Sequence, residues 1–167
     1  AGRPARNQGM LRNGDETPDF SLRTIDGTQV ITLSEFRGKP VVLVFGSCTC
    51  PPFVRSTSMI NSLVKEYRED VNFLMVYIRE AHPIGGREVP NNQYQVNAPT
   101  TLSQRFELAE DFDDRIEMQM PIVVDTINDT VADVYAPWPN RMVVVDGSGK
   151  IVDVGIAAAG GTRESSR

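Results

Sequence analysis

Two cysteines one residue apart, Cys48 and Cys50, are the side chains best able to do covalent chemistry in this sequence. Cys50 follows the apolar run Val41 to Phe45 and directly precedes Pro51 and Pro52. Proline is tolerated in a first helical turn, whose N–H groups lack partners anyway. The sequence therefore places Cys50 at a strand-to-helix junction, where those N–H groups and the helix dipole favour a thiolate. An anionic sulfur reached from such a turn is a nucleophile; the competing reading is a small buried hydrophobe. Ser47 and Thr49 bracket the cysteines and could aim hydroxyls at the thiolate or at a substrate atom, or simply turn the chain. Cys48 either resolves an oxidised Cys50 or is structural, and a Cys-x-Cys disulfide closes a small, labile ring.

The single histidine, His82, follows a second apolar run, Val71 to Ile78, two residues beyond Glu80. If the two runs are parallel neighbours, His82 and Cys50 share the carboxyl edge of the sheet, where ligands bind in such folds. His82 could then donate a proton near neutral pH, with Glu80 setting its tautomer or pKa; an exposed loop histidine is the plainer alternative. Arg141 could grip an anionic group with its planar fork or be merely solvated. Two cysteines and one histidine are too few for a structural zinc site, so no metal is expected.

These residues need a scaffold. Two alternating runs between Phe20 and Leu33 flank Asp26-Gly27 and predict a hairpin. A helical turn over Ser34 to Gly38 leads into the strand Val41 to Phe45, which reads as buried on both faces. Phe53, Ile60, Leu63, Val64 and Tyr67 fall at helical spacing after the prolines. Glu80 to Thr100 is a long loop rich in Pro, Gly and Asn, of a kind more often functional than idle. Leu102 to Ile116 predicts a helix that buries Leu102, Phe106, Leu108, Ala109 and Phe112. Pro121 to Asp125 is a short strand, Asp129 to Tyr135 a short helix. Met142 to Val145 and Ile151 to Val154 form a last hairpin around Asp146-Gly147-Ser148-Gly149. The order places β-α-β units before an antiparallel pair, an α/β architecture. The expected divisions are a flexible segment 1–16, one domain 17–156 and a loose tail 157–167.

The chain of 167 residues suits one domain, and 40% hydrophobic with 23% charged residues is globular composition. A net charge of −5, with no basic cluster interleaved with aromatics, argues against nucleic acid. No apolar run spans a bilayer and no secretory leader opens the sequence; residue 1 is Ala, which is consistent with removal of an upstream anchor or signal. No compartment is encoded beyond a slight preference for the cytoplasm, and a homodimer is neither required nor excluded. Asn128-Asp129-Thr130 matches a glycosylation triplet, a pattern common by chance.

Three motifs, Phe45-Gly46-Ser47-Cys48-Thr49-Cys50-Pro51-Pro52-Phe53, Tyr77-Ile78-Arg79-Glu80-Ala81-His82-Pro83 and Val123-Val124-Asp125-Thr126, resemble the iodothyronine deiodinases in sequence and order. The resemblance runs from about Pro40 to Val154. It implies a thioredoxin-like fold with peroxiredoxin-like additions and a catalytic nucleophile at Cys50, where the family typically has selenocysteine. It also implies an auxiliary thiol at Cys48, a proton network that includes Glu80 and His82, and a substrate-holding arginine at Arg141. Three departures stand out. Sulfur replaces selenium, so deiodination should be slower. Pro99 falls near the family's second histidine. From the sequence as given, neither the further helix that follows the last strand in the family nor its amino-terminal membrane anchor is expected. The opening Pro18-Asp19-Phe20 resembles peroxiredoxins and thioredoxin-like reductases, while Phe53 stands where thioredoxins carry a second cysteine, so CxxC dithiol exchange is not expected.

The leading expectation is a thiol-dependent oxidoreductase that deiodinates a small iodinated phenol. It would bind no cofactor and be recycled by an external thiol of dithiol, glutathione or thioredoxin type. The alternatives are a thiol peroxidase acting through Cys50 and a non-catalytic binding domain of the same fold.

Overall fold

The computed structural model describes residues 11–138 and 140–156. The segments 1–10 and 157–167, which carry most of the expected loose ends, lie outside the described residues. Two strands, β1 (Ser21–Arg23) and β2 (Val30–Thr32), form the expected hairpin with Leu22 opposite Ile31. Asp26 accepts from the Thr24 hydroxyl (2.5 Å) and the Thr28 N–H (3.0 Å), and Gly27 takes the positive φ of +67° that its turn position requires. A 3-10 turn, Leu33–Phe36, follows.

The sheet that carries the site is built from β3 (Val41–Gly46), β4 (Asn72–Tyr77), β5 (Ile122–Val124), β6 (Arg141–Val145) and β7 (Ile151–Ile156), in the order β5-β4-β3-β6-β7. Strands β3, β4 and β5 run parallel, while β6 and β7 are antiparallel to their neighbours. Helices α1 (Pro51–Tyr67) and α2 (Leu102–Ile116) cover one face, where Val42, Val44, Met75 and Tyr77 meet Phe53, Ile60, Ala109 and Phe112. The other face, with Leu43, Phe45, Leu74 and Val76, packs on the hairpin and on α3 (Thr130–Tyr135). Burial on both faces is why β3 and β4 read as unbroken apolar runs.

Leu102, expected to be available for burial at the start of α2, is exposed, as is Tyr67, the last of the helically spaced apolar residues of α1. The buried face of α2 instead includes Arg105, only 2% exposed. Its guanidinium donates to the carbonyls of Asp125 (3.3 Å) and Thr126 and to the Asp129 carboxylate (2.9 Å). Asp125 in turn caps α3 through the N–H groups of Val131 (3.0 Å) and Ala132 (2.9 Å). Gly14 N–H donates to the Ile151 carbonyl (2.7 Å) and Thr17 N–H to that of Gly149 (3.0 Å). Residues 14–16, expected to be loose, thus lie against the last hairpin.

Gly46 ends β3 beneath the Phe53 ring, and a Cβ there would overlap ring atoms. Gly46→Ala is therefore expected to destabilise the fold by about 1–3 kcal/mol, the usual cost of overpacking. A lower urea midpoint, partly restored in Gly46→Ala/Phe53→Leu, would bear this out; an unchanged midpoint would not.

Candidate active site

In-register pairing of β3 with β4, from Val41 opposite Asn72 to Gly46 opposite Tyr77, ends both strands at one level. The Ile78 N–H donates to the Gly46 carbonyl (3.0 Å), so the chain leaves both strands side by side. Residues 47–50 and 79–82 are thereby brought together, as a parallel pair requires. Cys50 is the residue before α1: its extended backbone (φ −94°, ψ 99°) turns into the helix, and its carbonyl accepts from the Val54 N–H (3.0 Å). Its side chain is half-buried, while Cys48 is buried, and both thiols are free.

Glu80 holds the two segments together. One carboxylate oxygen accepts from the Tyr77 hydroxyl (2.6 Å). The other accepts from the Thr49 N–H (3.0 Å), the Thr49 hydroxyl (2.5 Å) and the Cys48 thiol (3.6 Å). The Tyr77 oxygen also accepts from the Cys48 N–H (3.1 Å). Two further bonds close the seam, from His82 N–H to the Thr49 hydroxyl oxygen (3.1 Å) and from Ala81 N–H to the Ser47 hydroxyl oxygen (3.3 Å). Ser47 and Thr49 are both buried; the Ser47 hydroxyl oxygen accepts from the Ala81 N–H, and the Thr49 hydroxyl donates to Glu80.

His82 is half-buried, and its Nδ1 lies 2.6 Å from the Arg87 carbonyl oxygen. A carbonyl only accepts, so Nδ1 carries the hydrogen and Nε2 of the neutral ring has a free lone pair. The tautomer expected to depend on Glu80 is thus set by the backbone of Arg87; Glu80 reaches His82 only through Thr49. Arg141 opens β6, next to Met142, which pairs with Val44, so it stands beside the carboxyl end of β3 on the same sheet edge. The long loop also bends back, with Asn92 Nδ2 donating to the Thr49 carbonyl (2.9 Å).

The electrostatics depart from the expectation of an acidic Cys50. Burial pushes its thiol up; the Phe53 N–H opposes this, the Glu80 charge adds to it, and Arg55 pulls down. Burial and the Glu80 charge push the Cys48 thiol up to about 12. Burial and Glu80 likewise raise the Tyr77 phenol well above its ordinary value. The resting site therefore stores protonated sulfur beside a charged carboxylate.

Sequence reasoning missed Tyr77, Asn92 and the Arg87 carbonyl. Tyr77 had a signal, a hydroxyl at the end of an apolar strand three residues before Glu80. Asn92 is one polar residue among many in its loop, and a backbone carbonyl has no sequence signature. Among the described residues no group of three or more His, Cys, Asp or Glu could hold a metal ion, and no helix is long and apolar enough to cross a membrane.

A five-stranded mixed sheet with helices on both faces, opened by an antiparallel hairpin, is a thioredoxin-like fold. The structure superposes on the thioredoxin domain of a thiol-disulfide oxidoreductase from Bacteroides vulgatus with a TM-score of 0.63 (16% identity, 87% of this chain and 89% of that one). It superposes equally on peroxidoxin BcpB from Mycobacterium tuberculosis, TM-score 0.63 (19% identity, 88% and 86%). Residues 5–161 match the family described as iodothyronine deiodinase, and the chain belongs to that family. It is 32% identical over 145 residues to thyroxine 5-deiodinase of Ovis aries, covering 86% of this chain and 49% of that protein. The chain thus spans about half the length of that relative.

Two outcomes test these electrostatics. Glu80→Gln keeps the shape and removes the charge, so in a Cys48→Ser background the midpoint of Cys50 alkylation by iodoacetamide is expected to move to lower pH; an unmoved or higher midpoint would show that the sulfur does not feel Glu80. The folded Cys48 thiol releases its proton near pH 12 against 9.0 for an ordinary thiol, so the unfolded chain ionises first as pH rises. Stability is therefore whole below about pH 9 and falls progressively above it. Urea midpoints measured at increasing alkaline pH should fall less steeply in Cys48→Ser, and parallel slopes would contradict the assignment.

Proposed function

We propose that this chain is a thiol-dependent reductive dehalogenase that removes iodide from an iodinated phenol, with Cys50 as the nucleophile. The observation that carries this reading is the placement of a half-buried cysteine at the start of α1, tied through Thr49 to the segment bearing His82, in a member of the iodothyronine deiodinase family. The Cys50 thiol first gives up its proton, for which the free lone pair of His82 Nε2 is the available base. The sulfur then attacks iodine. The electron pair of the breaking carbon–iodine bond stays on carbon, which takes the proton back from the imidazolium. Cys50 is left carrying iodine, and two thiol equivalents return it to the free thiol with loss of iodide. Ser47, Thr49 and Glu80 act by positioning the two segments, and Arg141 holds an anionic group of the substrate.

Iodide release from thyroxine in the presence of dithiothreitol tests this directly. Turnover is expected in the intact protein and not in Cys50→Ser, with His82→Ala slower by roughly a hundredfold, the order typical of losing an acid–base group. Cys50-dependent loss of hydrogen peroxide without iodide release would favour a peroxidase. Binding with no Cys50-dependent turnover of either compound would favour a non-catalytic domain.

A further inference from the structure

A cleft of about 330 Å³ reaches Cys48 from the α2 side, and Cys50 does not line it. That volume is at the small end of ligand-binding clefts, roughly 300–1,000 Å³. Cys48 and Phe112 line it together with Asn92 and Tyr94 of the long loop and Asp111 and Arg115 of α2. Asp111 and Arg115 are four residues apart, a spacing at which opposite charges on a helix commonly pair. Here they do not: the ion pairs among the described residues join Arg79 to Asp129 and Asp133, and Arg105 to Asp129. The Arg115 guanidinium lies over the Tyr94 ring instead, 5.5 Å from its centroid. The cleft thus presents a cation and an anion one helical turn apart, with a thiol in the same lining.

We propose that this cleft binds a small zwitterionic thiol, of the cysteine or glutathione class, with its carboxylate on Arg115, its ammonium on Asp111 and its sulfur directed at Cys48. The proposal rests on the role of Cys50 given above and supplies the reductant for it. After deiodination the Cys48 thiol displaces iodide from the Cys50 sulfur, forming the Cys48–Cys50 disulfide and releasing a proton. The bound thiolate attacks Cys48, and Cys50 leaves as thiolate. A second thiol then attacks the mixed disulfide, freeing Cys48 and releasing the symmetrical disulfide. In total one aryl iodide and two thiols become the deiodinated arene, one disulfide, iodide and a proton. The direction of the exchange suits the geometry, because a thiol seated in the cleft meets Cys48, which lines it, and not Cys50, which does not.

The test has a binding arm and a turnover arm. S-Methylglutathione, which cannot exchange, is titrated calorimetrically into the intact protein and into Arg115→Gln and Asp111→Asn. Binding about tenfold weaker in each variant is expected from the loss of one charge-assisted contact. No binding to the intact protein, or equal binding to all three, overturns the proposal. In turnover, dithiothreitol should drive iodide release equally well in all three proteins. At subsaturating thiol, glutathione or cysteine should drive it about tenfold more slowly in the variants. Comparing the two thiols in the intact protein shows which ligand the cleft prefers, and cysteamine and 3-mercaptopropionate, each lacking one charge, should respond to one variant only. Glutathione- and cysteine-driven rates unmoved by both substitutions, with dithiothreitol turnover intact, overturn the cleft alone. Absence of dithiothreitol turnover in the intact protein overturns the role of Cys50 and the redox role of the cleft with it.

Discussion

A buried carboxylate is tolerated only where donors replace the water it has lost, and the donors around Glu80 come from both strand ends. Tyr77 supplies one hydroxyl from β4, while Thr49 and Cys48 supply an N–H, a hydroxyl and a thiol from the segment after β3. Removing the carboxylate would leave buried donors unpaired on two elements at once, a larger penalty than any one of these bonds contributes when made. The relative position of Cys50 and His82 therefore follows from one side chain that lies between their segments.

The same carboxylate that builds the site also opposes ionisation of its sulfurs. Thiolate formation at Cys48 or Cys50 places a second negative charge near Glu80, in surroundings that already disfavour charge through burial. The helix start favours an anion at Cys50, yet this contribution is outweighed in the resting protein. Such an arrangement favours the protonated thiol, which is the less reactive form of sulfur. It also makes proton transfer to a neighbouring base part of any reaction that uses the sulfur.

Much of the scaffold was legible from local rules. Strands covered on both faces produced unbroken apolar runs, Asp26-Gly27 and Asp146-Gly147 marked both hairpins, and the paired prolines marked the start of α1. In the second turn the positive φ falls on Gly149 rather than Gly147, because the Asp146 carboxylate organises it by accepting from Ser148 and Lys150. Arg105 defeated periodicity: a helical position that reads as solvent-facing is buried because carbonyls and a carboxylate from β5 and α3 surround it. The direction of the Cys50 shift was illegible for a related reason. Position in a helix is written in the sequence, whereas burial and the approach of a charge from another strand emerge only in three dimensions.

The two ends of the described chain meet the sheet at opposite edges. Residues 14–17 pair with the start of β7 and the turn before it, alongside the amino end of β3, since Gly38 N–H donates to the Gly147 carbonyl (2.8 Å). Ile156, opposite Arg141, finishes β7 at the carboxyl end of β3, the edge that bears the cysteines. At roughly 3.3 Å per strand residue, β3 separates these edges by about 20 Å. Whatever is joined ahead of residue 14 enters at the strand ends remote from the cysteines, whereas anything attached after residue 156 departs from the strand ends that bear them, two strands across the sheet from β3, so a reporter or immobilising handle belongs at the amino end.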